Sequence, residues 1–215
     1  MRIDRLLKLL LLAWLSVMIV AAFLYAPADK SLGEAGRVII FHIPVAWVTV
    51  VAFLVSCLYS VLYLRRRREG DDLRASAAAE LGLVFAVLAT VTGSIFARIT
   101  WGSFWNWDPR ETSIFILLLI YGAYFALRSA IEDDERRGRL SAVYAIVAFV
   151  TVPFLIFIVP RVYFSLHPDI ITPTGKLEMG SRTLQVFLAS LAGFTGLFAW
   201  LWQLRVRITE RRPQG

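Results

Sequence analysis

The sequence predicts an all-α, polytopic membrane protein with six transmembrane helices and with its N- and C-termini in the cytoplasm. Hydrophobic residues make up 58% of the 215 residues. They lie in uninterrupted runs of about 20 residues, each long enough to cross a bilayer as a helix. Membrane-spanning strands would be about half as long and would alternate in polarity. Arginine clusters beside every second connection supply the third observation, because this pattern is typical of multi-pass topology.

The six apolar runs form one predicted membrane domain over residues 1–215. The first run follows Arg2, Arg5 and Lys8 and resembles a signal peptide, but no small-residue cleavage site precedes Pro27. We therefore expect a retained helix. No soluble domain and no internal repeat interrupts the pattern. The apolar runs place the helices at roughly 6–26, 39–64, 76–98, 112–130, 141–160 and 183–204.

The distribution of basic residues predicts the orientation. The chain has 23 Lys and Arg residues, and most of them flank the N-terminus, the second and fourth connections, and the C-terminus. The positive-inside rule assigns these segments to the cytoplasm. The basic residues that would lie outside are Lys30, Arg37, Arg98, Arg110, Arg161, Lys176 and Arg182.

Charge and cysteine usage exclude several classes of partner and site. The net charge is +7, but the arginines border apolar runs and form no soluble basic face, so we exclude nucleic acid as a partner. The inner connections, 65–72 and 132–139, are mostly charged and predict solvated turns beside anionic membrane lipid. Cys57, the single cysteine, lies inside an apolar run, which excludes an internal disulfide and a cysteine-cluster metal site.

The outer connections, 27–38, 99–111 and 161–182, differ from the inner ones in length and composition. They contain Pro, Gly, aromatic residues and charges of both signs, and they are longer than a turn requires. The last of them is long enough to fold over the membrane surface. A functional site is therefore expected on the outer side.

The second outer connection carries the densest aromatic cluster. The stretch Trp101–Ser113 contains three Trp and one Phe ahead of an Asp-Pro-Arg-Glu tetrad. Asp108 suits the N-cap position, the following proline suits the first helical position, and Glu111 can bond back to the cap. Trp101 and Trp105 have i, i+4 spacing, so a helical turn would place both indoles on one face. The pattern predicts an aromatic cluster at the mouth of a helix.

Both histidines of the chain map to the outer side. His42 lies at the start of the second helix, and His167 lies in the third outer connection. Neutral imidazole is a good iron ligand, and two of them on opposite faces of a porphyrin would give six-coordinate iron. Indole walls suit a porphyrin, and its propionates would favour basic partners. The outer arginines near these elements are Arg98, Arg110, Arg161 and Arg182.

Each of these residues also has an interpretation that needs no ligand. Tryptophan at a membrane boundary is ordinarily an interfacial anchor, as expected for Trp14 and Trp200. A single interfacial histidine is commonly a satisfied polar residue, and an outer arginine commonly contacts its own loop or a lipid phosphate. Asp108 and Glu111 suit helix caps better than acid–base catalysis. Residue types and spacing alone predict only an outward-facing site with aromatic walls.

The stretch Trp101-Gly102-Ser103-Phe104-Trp105-Asn106-Trp107-Asp108, with Arg110, Thr112 and Ser113 after it, resembles the tryptophan-rich WWD signature of haem-handling proteins in cytochrome c biogenesis. Within that superfamily the chain is most similar to the haem exporter protein C (CcmC) family. The shared features are length, six helices, cytoplasmic termini and one histidine on each side of the signature. Thr92-Gly93-Ser94 also fits, so the resemblance runs from about residue 37 to 185.

The resemblance implies a protein of the cytoplasmic (inner) membrane of a bacterium or archaeon that holds haem b at the outer face. It would deliver haem to the chaperone CcmE and would work with CcmA, CcmB and CcmD. His42 and His167 stand where the family has its axial histidines. Covalent attachment belongs to the chaperone, so we expect presentation of haem and not enzymatic catalysis. The other implied haem-site residues are the Trp101, Trp105 and Trp107 platform, the loop residues Asp108 and Arg110, and the propionate candidates Arg98 and Arg161.

Three alternatives remain open at the level of sequence. The Asp108–Thr112 stretch is also similar to the larger CcsA and CcmF synthetase proteins, and Phe104 replaces a residue that is often Trp in the CcmC family. Those proteins carry further histidines within the membrane, whereas this chain has only two. A transporter with a tryptophan-rich gate would need breaks or charges at mid-membrane depth, where Pro153 is the main feature. An assembly factor with an aromatic docking patch is the third alternative.

Overall fold

The computed structural model describes residues 2–167 and 179–211, and within them it is helical apart from connecting segments and an isolated β-bridge between Asp29 and Gly33. Six segments are long and apolar enough to cross a membrane, which confirms the predicted all-α fold with six transmembrane helices. The fifth segment comprises α5, a π-helical turn and the short α6. The helices are α1 (Arg2–Leu24), a 3-10 turn (Glu34–Arg37), α2 (Val38–Arg66), α3 (Glu69–Trp101), α4 (Pro109–Ser129), α5 (Asp134–Pro153), the π-helical turn (Phe154–Ile158), α6 (Val159–Val162) and α7 (Ser181–Glu210).

Several helices extend beyond their apolar runs. The sequence predicts a start near residue 76 for the third span, but α3 begins at Glu69 and carries three acidic residues in its first turn. Acidic side chains are favourable at a helix N-terminus because they complement the helix dipole. The end of α7 is likewise Glu210, beyond the predicted 204. Hydropathy reports the part of a helix inside the bilayer, whereas these charged ends continue the helix past it.

The central helix of the bundle is α2, because all three buried apolar clusters include residues from it. Phe53 packs in a cluster with residues of α4 and α5, Val48 in one with α3 and α7, and Ile40 in one with α1 and α7. The adjoining helices therefore pack around a common element. This arrangement brings the end of α2 that carries His42 beside the ends of α3 and α7 on the same side of the bundle.

Small residues allow α2 and α3 to lie close together. Ala78, Ala86 and other alanines of α3 are buried, and a Cβ atom added at Gly82 would lie 2.5 Å from the ring of Phe53. Phe53 in turn stacks on Tyr121 of α4, with ring centroids 3.4 Å apart. Close backbone approach through small residues is typical of helix packing in membranes.

The contacts of Trp14 differ from the expected interfacial anchor. Trp14 lies in the middle of α1, and its indole Nε1 donates a hydrogen bond to the carbonyl oxygen of Ala189 in α7 at 2.9 Å. A Cβ atom at Gly193 would lie 3.1 Å from the Trp14 ring. The prediction of an interfacial anchor did not include this contact, because it depends on a carbonyl and a glycine surface that a neighbouring helix offers. Trp14 therefore attaches α1 to the bundle.

Several ion pairs join helices near the end of the bundle opposite the tryptophan-rich loop, and the two shortest of them involve α3. Arg128 of α4 forms a bidentate pair with Asp72 of α3 at 2.7 and 2.8 Å, and both side chains are largely buried. Arg205 of α7 pairs with Glu80 of α3 at 2.8 Å, and this pair is more exposed. Both pairs therefore fix the neighbours of α3 on that side.

Part of the third outer connection lies outside the described residues. The prediction that the 161–182 connection folds over the membrane surface concerns residues 168–178 in particular, and these include Lys176. Residues 1 and 212–215, with Arg212, also fall outside the described part of the chain.

Candidate functional site

The predicted helix start at Asp108 is a complete capping box. The Asp108 side chain accepts a hydrogen bond from the backbone N–H of Arg110 at 2.9 Å. Oε2 of Glu111 accepts from the backbone N–H of Asp108 at 3.3 Å and from that of Asn106 at 2.7 Å. Glu111 is only 8% exposed. Two backbone donors of the loop are thus satisfied by one buried carboxylate, which fixes the loop onto the first turn of α4.

The tryptophan-rich loop is not helical. Helix α3 ends at Trp101, because Gly102 adopts a left-handed conformation with φ 78°. The prediction that Trp101 and Trp105 share one helix face was therefore wrong. Trp107 also has a positive φ, 56°, which for a bulky residue costs about 1–2 kcal/mol. The capping box after it holds the backbone in this unusual conformation.

The three indoles fall into two groups of ring contacts. Trp101 packs edge-on against His167, with centroids 4.9 Å apart, and against Phe96 at 5.9 Å. Trp105 packs against Trp107 at 5.9 Å and against Phe115 of α4 at 6.2 Å. This second group lines a cleft of about 350 Å³. Trp101 therefore packs against His167, whereas Trp105 and Trp107 form a separate apolar wall. Trp107 is 70% exposed.

His167 is tied directly to the cap of α4. Its Nδ1 lies 3.0 Å from Oδ1 of Asp108. Asp108 Oδ2 accepts from the backbone N–H of Leu166 at 2.6 Å and from the Ser165 hydroxyl at 3.0 Å. Asp108 is 4% exposed. One buried carboxylate therefore joins the tryptophan-rich loop, the start of α4 and the segment that carries His167.

The environment favours neutral His167 beside ionised Asp108. Burial lowers the pKa of His167 below its ordinary value, although Asp108 acts in the opposite direction. For Asp108, burial acts to raise the pKa, but the hydrogen bonds from Arg110 and Leu166, the neighbouring His167 and the Ser165 hydroxyl together hold it below its usual value. A carboxylate only accepts hydrogen bonds, so Nδ1 of His167 carries the proton and Nε2 carries the lone pair.

His42 lies on the first turns of α2 and faces α3. Its Nδ1 lies 2.9 Å from the Thr92 hydroxyl oxygen. The imidazole also passes over Gly93, where an added Cβ atom would lie 3.1 Å from Cε1 of His42. Pro44 is buried within α2, six residues after its start. The ring of His42 is thus held against α3 by the Thr92 hydroxyl and by the close approach of Gly93.

The structure brings the two histidines into one neighbourhood. The imidazoles of His42 and His167 lie within electrostatic range of each other, and the guanidinium of Arg110 lies within range of both. The backbone of Arg110 is fixed by the cap of α4. Among the described residues, Arg110 is thus a positively charged side chain close to both imidazoles.

Arg98 and Arg161 have contacts within their own segments. Arg98 donates to the carbonyl oxygen of Gly102 and lies 5.6 Å from the ring centroid of Phe104. Arg161 donates to the carbonyl oxygen of Phe157 at 2.5 Å. Both guanidinium groups thus satisfy carbonyl groups at helix ends, which is a common arrangement for basic residues. Neither contact brings these arginines to the imidazoles.

Sequence reasoning did not identify four contacts at this site. These are the Thr92 hydroxyl at His42, the close approach of Gly93, the Ser165 hydroxyl at Asp108, and Phe115 behind Trp105. Ser165 lies two residues before His167, which is a usual spacing for a hydroxyl that bonds to a nearby backbone group. The contact between Phe115 and Trp105 could also have been predicted, since Phe115 lies on the first turns of the helix that follows the tryptophan-rich loop.

The fold and the site define a class of polytopic α-helical membrane proteins in which two histidines lie near a tryptophan-rich helix mouth on one side of the bundle. Comparison with known families agrees with this class: the family described as "Heme exporter protein C" (CcmC) matches residues 2–214. The chain belongs to that family.

Individual relatives support the same assignment. A protein named "Heme exporter protein C" from Bradyrhizobium diazoefficiens is 34% identical over 215 residues, covering 94% of this chain and 80% of its own length. The protein of that name from Rhodobacter capsulatus is 32% identical, with coverage of 91% and 81%. The one from Escherichia coli K12 is 29% identical, with coverage of 89% and 79%. The similarity extends through the membrane spans and is not confined to the tryptophan-rich loop.

Proposed function

We propose that this protein handles haem for cytochrome c maturation as a multi-pass protein of the inner membrane. It holds haem b at the outer face between His42 and His167 and presents it for delivery to the chaperone CcmE. The observation that carries the proposal is the hydrogen bond between His167 Nδ1 and Asp108, because it joins one candidate ligand to the tryptophan-rich loop. Family membership supports the same cargo.

The donor set fits an iron porphyrin. Both imidazoles have Nδ1 occupied by a partner at 2.9–3.0 Å, so Nε2 is the nitrogen that turns toward a metal. Metal-bound histidines ordinarily hold their other ring nitrogen in this way. The carboxylate at His167 fixes its tautomer, and the packing against Gly93 fixes the ring of His42. These residues would supply two nitrogen ligands whose other ring nitrogen is already hydrogen-bonded.

The remaining site residues orient and shield the cargo. Trp101 is in contact with His167 and supplies apolar surface next to that ligand. Trp105 and Trp107 supply a second, more exposed apolar wall, along which one edge of a macrocycle remains accessible. Arg110, near both imidazoles, is the candidate partner for a propionate. Arg98 and Arg161 would need new rotamers for that role.

The proposed partners are CcmE as the acceptor of haem, with CcmA, CcmB and CcmD as the companion subunits. Covalent attachment of haem would belong to the acceptor, so this chain orients and exposes haem without forming a covalent bond. The proposal includes cytoplasmic termini, which put the tryptophan-rich loop and both histidines on the periplasmic side.

The presence of only two histidines in the sequence favours haem presentation over the synthetase alternative. A synthetase of the CcsA or CcmF type carries additional membrane histidines, and this chain has none beyond His42 and His167. An inner-leaflet haem site with histidine ligands therefore has no candidate residues in this sequence.

The test is a haem spectrum of the purified protein. We expect a Soret band in the wild type and the spectrum of six-coordinate, bis-histidine haem after reduction. His42→Ala and His167→Ala should each lower occupancy or change ligation, because either change leaves one axial position without a protein imidazole. The double variant has no histidine left. If both single variants keep the wild-type reduced spectrum, the ligand assignment is wrong.

A further inference from the structure

The two candidate ligands differ in the partner of their Nδ1 atoms. His167 Nδ1 lies 3.0 Å from a carboxylate oxygen of Asp108, and His42 Nδ1 lies 2.9 Å from the hydroxyl oxygen of Thr92. The distances are almost equal, but one partner is a buried anion and the other is neutral. A charged acceptor makes a hydrogen bond roughly twice as strong as a neutral one.

The direction of the hydrogen bond at His42 follows from the other contact of Thr92. A hydroxyl has one proton, and the Thr92 hydroxyl lies 2.8 Å from the carbonyl oxygen of Leu88, one turn earlier in α3. With its proton directed to that carbonyl, the oxygen accepts from Nδ1–H of His42. The lone pair of His42 is then on Nε2, which is also the arrangement that Asp108 imposes on His167.

We propose that Thr92 and Asp108 are positioning residues of unequal strength, which make His167 the retained iron ligand and His42 the ligand that dissociates when haem leaves. This inference rests on the proposed function. A carboxylate that accepts Nδ1–H shifts electron density toward Nε2 and strengthens the iron–nitrogen bond. The neutral Thr92 hydroxyl shifts far less electron density toward Nε2 of His42, so it strengthens that iron–nitrogen bond less.

If backbone rigidity alone decided which histidine dissociates from iron first, the order of dissociation would be reversed. His42 lies on the central helix α2, whereas His167 lies on an irregular segment after α6. If the more mobile backbone released haem first, His167 would dissociate before His42. The order of dissociation therefore separates the electronic argument from the mechanical one.

The first experiment compares the two ligands one at a time. Ferrous His42→Ala leaves His167 as the single protein ligand, and ferrous His167→Ala leaves His42. Resonance Raman spectra of both report the iron–histidine stretching frequency. We expect the higher frequency in His42→Ala, where the bound imidazole donates to Asp108. Equal frequencies, or the higher one in His167→Ala, would overturn the inference.

A second substitution assigns the difference to Asp108. Asp108→Asn keeps an oxygen that can cap α4, so the helix start remains, but it removes the negative charge. In the His42→Ala background it should lower the iron–histidine frequency and, in the chain with both histidines, raise the haem midpoint potential. Asp133→Asn is the matched control, because Asp133 caps α5 through the backbone N–H of Arg136 and lies in the other set of connections. An unchanged frequency in Asp108→Asn would contradict the role.

The third experiment follows dissociation of His42. Carbon monoxide binds six-coordinate ferrous haem only after one axial ligand leaves, so its binding rate reports the weaker ligand. Thr92→Val should raise that rate about fivefold, as expected for one lost hydrogen bond, and Thr92→Ser should restore it. Thr90→Val is the control, since the Thr90 hydroxyl bonds only to the Ala86 carbonyl among the contacts described. A rate unchanged in Thr92→Val, or raised more by Asp108→Asn, would contradict the inference.

Failure of the inference and failure of the proposed function are distinguishable. A wild-type protein without a Soret band would contradict haem binding itself. A wild-type protein with bis-histidine haem but equal iron–histidine frequencies in the single variants would contradict only the inequality of the two ligands.

Discussion

At the scale of single residues, the contact between Gly93 and His42 sets how closely the imidazole can lie against α3. A Cβ atom at position 93 would lie 3.1 Å from Cε1 of His42, so the ring would have to move by a few tenths of an ångström. We expect Gly93→Ala to weaken haem binding and to change the spectrum of the ferric form. Gly122→Ala is the matched control, because a Cβ atom there meets nothing within 4 Å. Equal haem occupancy in the two variants would contradict this prediction.

The lowered pKa values of His167 and Asp108 predict that the free energy of unfolding decreases as the pH falls. Both groups have a pKa below the ordinary value, so the folded state binds fewer protons than the unfolded state and stability rises with pH. For His167 the loss begins as the pH falls below about 6.5, and for Asp108 it begins near the ordinary carboxyl value of about 3.9. The haem-free His42→Gln variant, in which His167 is the remaining imidazole, should therefore lose thermal stability between about pH 7.5 and 5. A further His167→Gln change should flatten that loss, as measured by the melting temperature, and an unchanged slope would contradict the assignment.

The roles of Asp108 show what local sequence can and cannot predict. Its capping role follows from the four residues Asp-Pro-Arg-Glu, because a cap is a local arrangement. Its hydrogen bond to His167 joins positions 59 residues apart, and no local pattern encodes such a pairing. The same limit applies to Thr92 and His42, which are 50 residues apart. The histidines themselves were predictable because the chain has only two.

At the scale of helices, the Asp72–Arg128 pair is expected to matter more than the Glu80–Arg205 pair. The side chains of the first pair are 17% and 15% exposed, and those of the second are 43% and 36% exposed. Asp72→Ala leaves a buried guanidinium without its anion and should cost about 3–5 kcal/mol. Glu80→Ala should cost less than about 1 kcal/mol. Comparable melting temperatures for the two variants in the same detergent would contradict this ranking.

The helices were predictable and their ends were not. Apolar runs predict six spans, because each must cover the bilayer with side chains that tolerate lipid. The protruding turns of α3 and α7 are polar, and hydropathy cannot distinguish them from loops. In the tryptophan-rich loop, by contrast, the i, i+4 spacing of Trp101 and Trp105 suggested a helix that Gly102 ends. One glycine in a left-handed conformation outweighs the spacing of two aromatic residues.

At the scale of the whole molecule, the predicted orientation can be measured with single cysteines. In a Cys57→Ser background, Ser31→Cys lies in the first outer connection and Glu132→Cys in an inner one, and both positions are exposed. A membrane-impermeant maleimide should label Ser31→Cys in intact cells and Glu132→Cys only after the membrane is opened. The reverse pattern would put the tryptophan-rich loop in the cytoplasm.

The arrangement of the helices around α2 is the property of the whole molecule that sequence could not supply. The span that contains α2 has a mean hydropathy of 2.5, between the 2.4 of the first span and the 2.7 of the fifth, so composition does not reveal that α2 contributes to all three buried clusters. Small residues such as Gly82 indicate close packing but not the partner, which here is Phe53. Which helix packs against which depends on complementary side-chain shapes along both helices. The sequence of one apolar run does not contain this information.

The π-helical turn Phe154–Ile158 acts on the site from a distance. A π turn accommodates one residue more than an α turn, so it changes the angular phase of all that follows by about 100°. The direction of the chain after Val162 is therefore set within the helical span that precedes it. Deleting one residue from the turn would restore a regular helix and swing the downstream segment by about 100°, carrying His167 away from Asp108. This deletion changes neither histidine, but it would affect haem binding in the same way as the loss of His167.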